Sequence, residues 1–212
     1  MSGAAIGGEG LYHALMARAG AAGRDLFDAH VAASILALAL RESAEEAVAA
    51  GERCGLDAAG FAGLADLLFP GWTPPATAAP VTQANEQALR DILMMHCAES
   101  SRFEVLAAAM IARRCLRPNH LWQDLGLANR GELSMLMQRH FPGLARRNSA
   151  DMKWKKFFYR MMCSSEQFRL CAAPVCSECD DFDACFGSED GEALLARVAN
   201  GRLAGPNTEA RL

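Results

Sequence analysis

Apolar residues recur along this chain at intervals of three and four, the spacing of an amphipathic helix, and no stretch shows the alternation of a β-strand. The Ala- and Leu-rich segment from Leu11 to about Phe69 shows this most clearly. Residues 31–40 within it are apolar enough for a helix that is buried on most sides. The pattern therefore predicts an all-α protein, a bundle-like arrangement of helices.

Polar and helix-breaking residues indicate where the helices begin and end. Glu42, Glu45 and Glu46 suit the first turn of a helix that follows residues 31–40, and Asp57 suits the N-cap of another that runs to Phe69. Further along, the periodicity predicts four more helices, over residues 83–98 with Thr82 as the cap, 101–116, 129–141 and 152–167.

Changes in composition divide the chain into five parts. Prolines crowd the segment around 73–80, where they break any helix and predict a linker or an extended crossover. The remaining parts are a helical N-terminal region over 1–72, a helical core over 81–170, an irregular cysteine loop over 171–187 and a C-terminal tail over 188–212.

Length and hydropathy exclude some classes of protein. Of the 212 residues, 51% are hydrophobic, which is enough for a folded core. The longest apolar run, residues 31–40, is about half of the roughly 20 residues that a membrane-spanning helix needs. The first ten residues lack the basic residues and apolar core of a secretory signal. We therefore expect a cytoplasmic protein with no membrane partner.

Charge is segregated along the chain, although the net charge is only −4. Residues 1–101 sum to −7 and residues 102–170 to +8, while residues 171–192 contain seven acidic side chains and no basic one. Blocks of this kind indicate where charged ligands or partners would bind.

Four of the eight cysteines form the pattern Cys171-x4-Cys176-x2-Cys179-x5-Cys185. Thiolates this close in sequence can converge on one site, and an all-sulfur site selects an iron–sulfur cluster or zinc. Structural zinc sites usually combine two Cys-x2-Cys pairs. A single continuous loop better suits the wider spacing of a 4Fe–4S cluster, which we favour, with zinc left open. The other cysteines, Cys54, Cys97, Cys115 and Cys163, are expected to be small buried hydrophobic residues.

A basic and aromatic stretch precedes the cysteine loop. Its cations are candidate contacts for an oxyanion or an acidic partner: Arg146, Arg147, Lys153, Lys156 and Arg160. On a helix, the last three would share one face, and Trp154, Phe157 and Phe158 would form a separate face that packs in the core. His120 and His140 are candidate accessory metal ligands. No catalytic triad order, Walker loop or His-Glu-x-x-His pattern indicates a hydrolase or a nucleotide-binding protein.

Together, these motifs resemble the NifQ family. The resemblance covers about residues 85–190 and rests on the cysteine loop, which ends in Cys185-Phe186-Gly187, and on four further segments. These are His120-Leu121-Trp122-Gln123-Asp124-Leu125-Gly126-Leu127, Glu132-Leu133-Ser134, His140-Phe141-Pro142 and Met152-Lys153-Trp154-Lys155-Lys156-Phe157-Phe158-Tyr159-Arg160.

The resemblance implies a metal-cluster carrier for nitrogen fixation. Such a protein would bind a 4Fe–4S type cluster that is convertible to a molybdenum–iron–sulfur cluster, incorporate molybdenum and donate it for iron–molybdenum cofactor assembly. The implied partners are the nitrogenase cofactor assembly scaffold and the nitrogenase iron protein, and the implied role is that of a donor, not an enzyme. The alternative is an iron–sulfur or zinc-binding DNA-associated regulator that uses the +8 segment. Without a helix-turn-helix pattern, nucleic acid is the less favoured partner.

Overall fold

A computed structural model describes residues 8–149 and 151–165, and within these ranges the chain forms ten α-helices and no strand. The helices are α1 (Gly8–Ala21), α2 (Leu26–Glu45), α3 (Ala50–Cys54), α4 (Ala58–Leu68), α5 (Ala84–Met95), α6 (Arg102–Cys115), α7 (Leu121–Asp124), α8 (Arg130–His140), α9 (Pro142–Arg147) and α10 (Trp154–Ser165). The predicted all-α class is confirmed for this part of the chain. The cysteine loop 171–187 and the tail 188–212 lie outside the described residues.

The chain divides into two compact units. Among the described residues, one unit consists of residues 8–117 and 121–149 and contains α1 to α9, and the other consists of residues 118–120 and 151–165 and contains α10.

The central element of the first unit is α2. Asp25 caps its N-terminus by accepting hydrogen bonds from the backbone amides of Phe27 and Asp28. Val31, Ile35 and other residues along the helix are fully buried, and α1 and α3 both pack against it. The prediction of a buried helix over residues 31–40 is confirmed.

The predicted start of a new helix at Glu42, Glu45 and Glu46 is wrong. Instead, α2 continues through Glu45, and Glu46 is its C-cap. Carboxylates are unfavourable in the last turn of a helix, but Glu42 and Glu46 form ion pairs there with arginines from other segments. These pairs offset the unfavourable position.

Residues 73–80 contain no helix or strand, and they contact α3 of the first unit. Thr77 Oγ1 accepts a hydrogen bond from the Gly51 amide of α3 at 2.8 Å, and just beyond the segment the Val81 amide donates to Glu52 at 2.9 Å. The helices that precede the segment belong to the same unit as α5 to α9, which follow it, since α3 and α4 both pack on α6. The proline-rich segment is therefore a crossover within one unit and does not separate two domains.

Local sequence determines several helix starts. Asp57 caps α4 as predicted, and Ser101 and Glu104 form a reciprocal capping box at the start of α6. For α5 the prediction is wrong by one residue, since the N-cap is Gln83, without a side-chain cap bond, and not Thr82.

Within the second unit, α10 presents a cluster of aromatic rings. Trp154, Phe157 and Phe158 are buried, and their ring centroids lie 5.6 to 6.0 Å apart. The predicted aromatic core face is confirmed. Lys155 is also buried, with 5% of its surface exposed, which the charge pattern did not indicate.

Among the described helices, none is both long and apolar enough to cross a membrane. The longest, α2, has 20 residues but contains Arg41 and Glu42 near its end.

Candidate functional site

The four cysteines of the predicted cluster site, Cys171, Cys176, Cys179 and Cys185, lie outside the described residues, so their role as ligands stays a prediction. Within residues 8–149 and 151–165, no group of three or more His, Cys, Asp or Glu side chains is arranged to hold a metal ion.

Three of the other cysteines are described, and they differ in environment. Cys54 and Cys115 are buried as predicted, and burial raises the pKa of the Cys54 thiol to about 12. Cys97 departs from the prediction, since it is only partly buried. Its thiol donates to the Met94 carbonyl at 2.9 Å and lies 3.2 Å from Ser100 Oγ. It is therefore the accessible thiol of the three.

Much of the +8 segment is neutralised by the acidic first half of the chain. Arg114 is fully buried, and its guanidinium binds both Glu42 carboxylate oxygens. Arg113 binds Glu52 at 3.0 Å and the fully buried Glu86 at 3.0 Å. Burial favours a raised pKa for Glu42, but the hydrogen bonds and charge of Arg114 outweigh it and hold that pKa below its usual range.

The same neutralisation recurs at α8. Arg139 forms an ion pair with Asp25 and lies 3.6 Å from Asp28. The hydrogen bond from Arg139 lowers the pKa of Asp25. Arg117, which lies just after α6, is neutralised in the same way, because it binds Glu46 at 2.8 Å. The segment therefore does not present all its arginines as one basic surface, and this weakens the case for a DNA-associated regulator.

Arg146 and Arg147 behave differently from these arginines. Both are exposed in the last turn of α9, and neither forms an ion pair with a carboxylate within the described part of the chain. They act instead on His96, the C-cap residue of α5. The pKa of this imidazole is lowered by its partial burial and by the positive charges of Arg147 and Arg146. His96 belongs to none of the sequence motifs, and no local pattern links it to residues fifty positions away.

The remaining candidate cations belong to the second unit. Lys153 precedes α10, and Lys156 and Arg160 lie on it, with Arg160 exposed and the two lysines partly buried. Arg160 Nη1 lies 3.9 Å from the Met152 sulfur. Their proposed role as oxyanion or partner contacts stays a prediction.

The two candidate accessory histidines differ in position. His140 is buried at the end of α8, with Nε2 2.9 Å from Asp28 Oδ1 and Nδ1 3.7 Å from Glu104 Oε1. Two carboxylates thus face its two ring nitrogens, which favours a structural role within the first unit. His120 is partly buried and belongs to the second unit.

A further histidine, His30, links three helices of the first unit. Its Nδ1 lies 2.9 Å from the Tyr12 hydroxyl of α1, and its Nε2 lies 3.1 Å from Glu132 Oε2 of α8. Tyr12 and His30 also border an open cavity of about 420 Å³. With its two partners, the imidazole ties α1 and α8 to α2.

The sequence is similar to a known protein family. The family model described as NifQ matches residues 31–187, which include the cysteine motif. A protein named NifQ homolog from Sinorhizobium fredii is 39% identical over 172 residues, which cover 79% of this chain and 75% of the relative.

Two further relatives are named NifQ. The protein from Rhodobacter capsulatus is 39% identical over 73% of this chain and 87% of the relative, and the protein from Azotobacter vinelandii is 34% identical over 64% of this chain and 77% of the relative. No solved structure matches the chain.

Proposed function

Because the chain belongs to the NifQ family, we propose that it carries an iron–sulfur cluster of the 4Fe–4S type, incorporates molybdenum and donates it for iron–molybdenum cofactor assembly. The single observation that carries this proposal is the spacing Cys171-x4-Cys176-x2-Cys179-x5-Cys185 within the matched residues 31–187. The partners would be the nitrogenase cofactor assembly scaffold and the nitrogenase iron protein. The chain would act as a donor and not as an enzyme.

The chemistry of the donor set fits the proposed group. Four cysteine thiolates provide the soft sulfur ligands that an iron–sulfur cluster requires, and these ligands also suit molybdenum once it is bound to sulfur. The bound cluster would supply the sulfur environment that holds the metal. The protein's own contribution would be to supply four thiolates within fifteen residues of sequence, among acidic residues such as Glu178 and Asp180.

Basic residues outside the loop provide a second kind of site. We propose that molybdenum reaches the protein as the dianion molybdate, which guanidinium and ammonium groups attract and carboxylates repel. We therefore propose that the oxyanion is received, or an acidic partner is docked, by Arg146, Arg147, Lys153, Lys156 and Arg160. A reductant and a sulfide donor outside this chain would then convert molybdate to the reduced, sulfur-bound metal that the thiolates hold, with the oxygen atoms leaving as water.

The function is tested by metal analysis of anaerobically purified protein. We expect iron in the wild-type chain, molybdenum after loading and no stoichiometric zinc. Cys176→Ala should lose most of the iron and the visible absorption of the cluster, because it removes one corner thiolate. Cys97→Ala is the matched control, since Cys97 is a partly exposed cysteine outside the motif.

Two results would count against the proposal. Full iron content in Cys176→Ala would remove the ligand assignment. Stoichiometric zinc without iron, combined with salt-dependent binding of arbitrary DNA, would favour the regulator instead.

A further inference from the structure

The end of α5, at His96, approaches α9, the helix that carries Arg146 and Arg147. The Gly143 position of α9 lies against the His96 ring, since a Cβ placed on Gly143 would be 2.8 Å from Nδ1 and 3.2 Å from Cγ. The Ala98 amide donates to the His140 carbonyl at 2.9 Å, which holds the segment after α5 against the start of α9. The end of α5 can approach α9 closely because Gly143 has no side chain, and the Ala98–His140 backbone hydrogen bond holds the two segments together.

Helix geometry places the two arginines on the same side as this contact. Residues 143, 146 and 147 are three and four positions apart, so they share one face of α9. Since Gly143 contacts His96, Arg146 and Arg147 follow on the face that the imidazole touches. The lowered pKa of His96, caused by partial burial and by both arginines, agrees with this geometry.

The charge at this location is not balanced by carboxylates. Arg113, Arg114 and Arg139 of the same basic segment are paired with acids, whereas Arg146 and Arg147 have no carboxylate partner among the described residues. Two exposed guanidinium groups beside a partly buried imidazole provide several N–H donors and two positive charges.

We propose that His96, Arg146 and Arg147 form a binding site for a tetrahedral oxyanion of charge −2, and that the anion is molybdate. The choice of molybdate rests on the proposed function, whereas the existence of an oxyanion site does not. A dianion placed between the guanidinium groups would neutralise both charges, and His96 would donate a further hydrogen bond from its ring. The site would thus hold the oxidised, oxygen-bound form of the metal, which oxygen-seeking cations suit better than thiolates do.

The test uses the full-length chain, purified without iron, and measures binding of molybdate and tungstate by isothermal titration calorimetry. The double variant Arg146→Gln/Arg147→Gln should bind at least about tenfold more weakly, because it removes two charge-assisted contacts. The control Arg24→Gln/Arg41→Gln removes two exposed arginine charges elsewhere in the unit and should stay within about twofold of wild type.

Two further variants separate geometry from charge. His96→Gln should weaken binding without changing the arginines. Gly143→Ala should weaken it without removing any polar group, because the added Cβ would displace the His96 ring. Circular dichroism confirms that each variant is folded, and the NMR signals of the His96 ring should shift in wild type when tungstate is added.

The outcomes distinguish this site from the proposed function. Cys176→Ala should keep molybdate binding while it loses iron, so failure of the cluster assignment leaves this test intact. Absence of saturable binding in wild type, or equal loss in the control double variant, would overturn the oxyanion site. Displacement of molybdate by equal concentrations of sulfate or phosphate would keep the site but overturn its assignment to molybdate.

Discussion

Arg114 binds both carboxylate oxygens of Glu42, at 2.6 and 2.9 Å, although 72 residues separate the two in sequence. The arginine is fully buried, and its Nε also donates to the Asp124 carbonyl. This pair joins α2 to α6 and cancels charge between the acidic and basic blocks of the chain. A buried charge that loses its partner is costly, so the pair provides a direct test of the packing.

Replacing Glu42 with Gln should destabilise the protein strongly. The substitution leaves the Arg114 charge buried without its carboxylate, and we expect the free energy of unfolding to fall by about 3–5 kcal/mol. Urea denaturation followed by circular dichroism measures the change. The control is Glu45→Gln, which removes an exposed pair with Arg41 and should cost less than about 1 kcal/mol. Equal losses of unfolding free energy in the two variants would show that the buried pair contributes no more to stability than the exposed one.

His140 should contribute to stability through Asp28. Replacing either residue breaks the 2.9 Å contact between them, so His140→Gln and Asp28→Asn should each lower the free energy of unfolding by about 1–3 kcal/mol. The ratio of molybdenum to iron in the folded fraction should not change in either variant. If His140→Gln alone lowered that ratio, the imidazole would be an accessory metal ligand as the sequence suggested.

Glu104 should make the stability of the first unit depend on pH. Burial alone would raise the pKa of Glu104, but the amides of Ser101, Glu99 and Ala98 donate to its carboxylate and hold that pKa below its ordinary value. Since the folded-state pKa is the lower one, the stabilisation is present above the unfolded value of about 4.3 and is lost as pH falls through the folded pKa.

Glu104→Gln tests this dependence by thermal denaturation at a series of pH values. The variant should be less stable than wild type at pH 7, and the difference should shrink as the pH falls below about 4. A difference that stays constant across this range would mean that the carboxylate charge contributes nothing.

The described cysteines should differ in reactivity. The thiolate is the reactive form, and burial raises the pKa of Cys54 to about 12, so this thiol stays protonated and inaccessible. Iodoacetamide treatment of the native protein at pH 8, followed by peptide mass spectrometry, should label Cys97 before Cys54 and Cys115. Denaturation should remove the difference. Rapid labelling of Cys54 in the native state would contradict the packing of α3 against α6.

Features that depend on neighbours along the chain could be predicted from the amino-acid sequence. Helical periodicity predicted the all-α class and the buried helix over 31–40, and side-chain chemistry next to the first turn identified the Asp57 cap. The aromatic face of α10 followed from its spacing in the same way. Each of these features is decided by residues within about one or two helical turns, which is the range over which periodicity and capping act.

The contacts between residues far apart in sequence depend instead on how the helices pack. The charge blocks indicated a basic segment that could bind charged ligands or partners, yet packing paired Arg113, Arg114 and Arg139 with acids from the first half of the chain. Packing also placed His96 against Gly143, a contact that no local pattern contains. Ion pairs and close approaches of this kind depend on how helices pack in three dimensions, so charge and spacing along the sequence could not specify them.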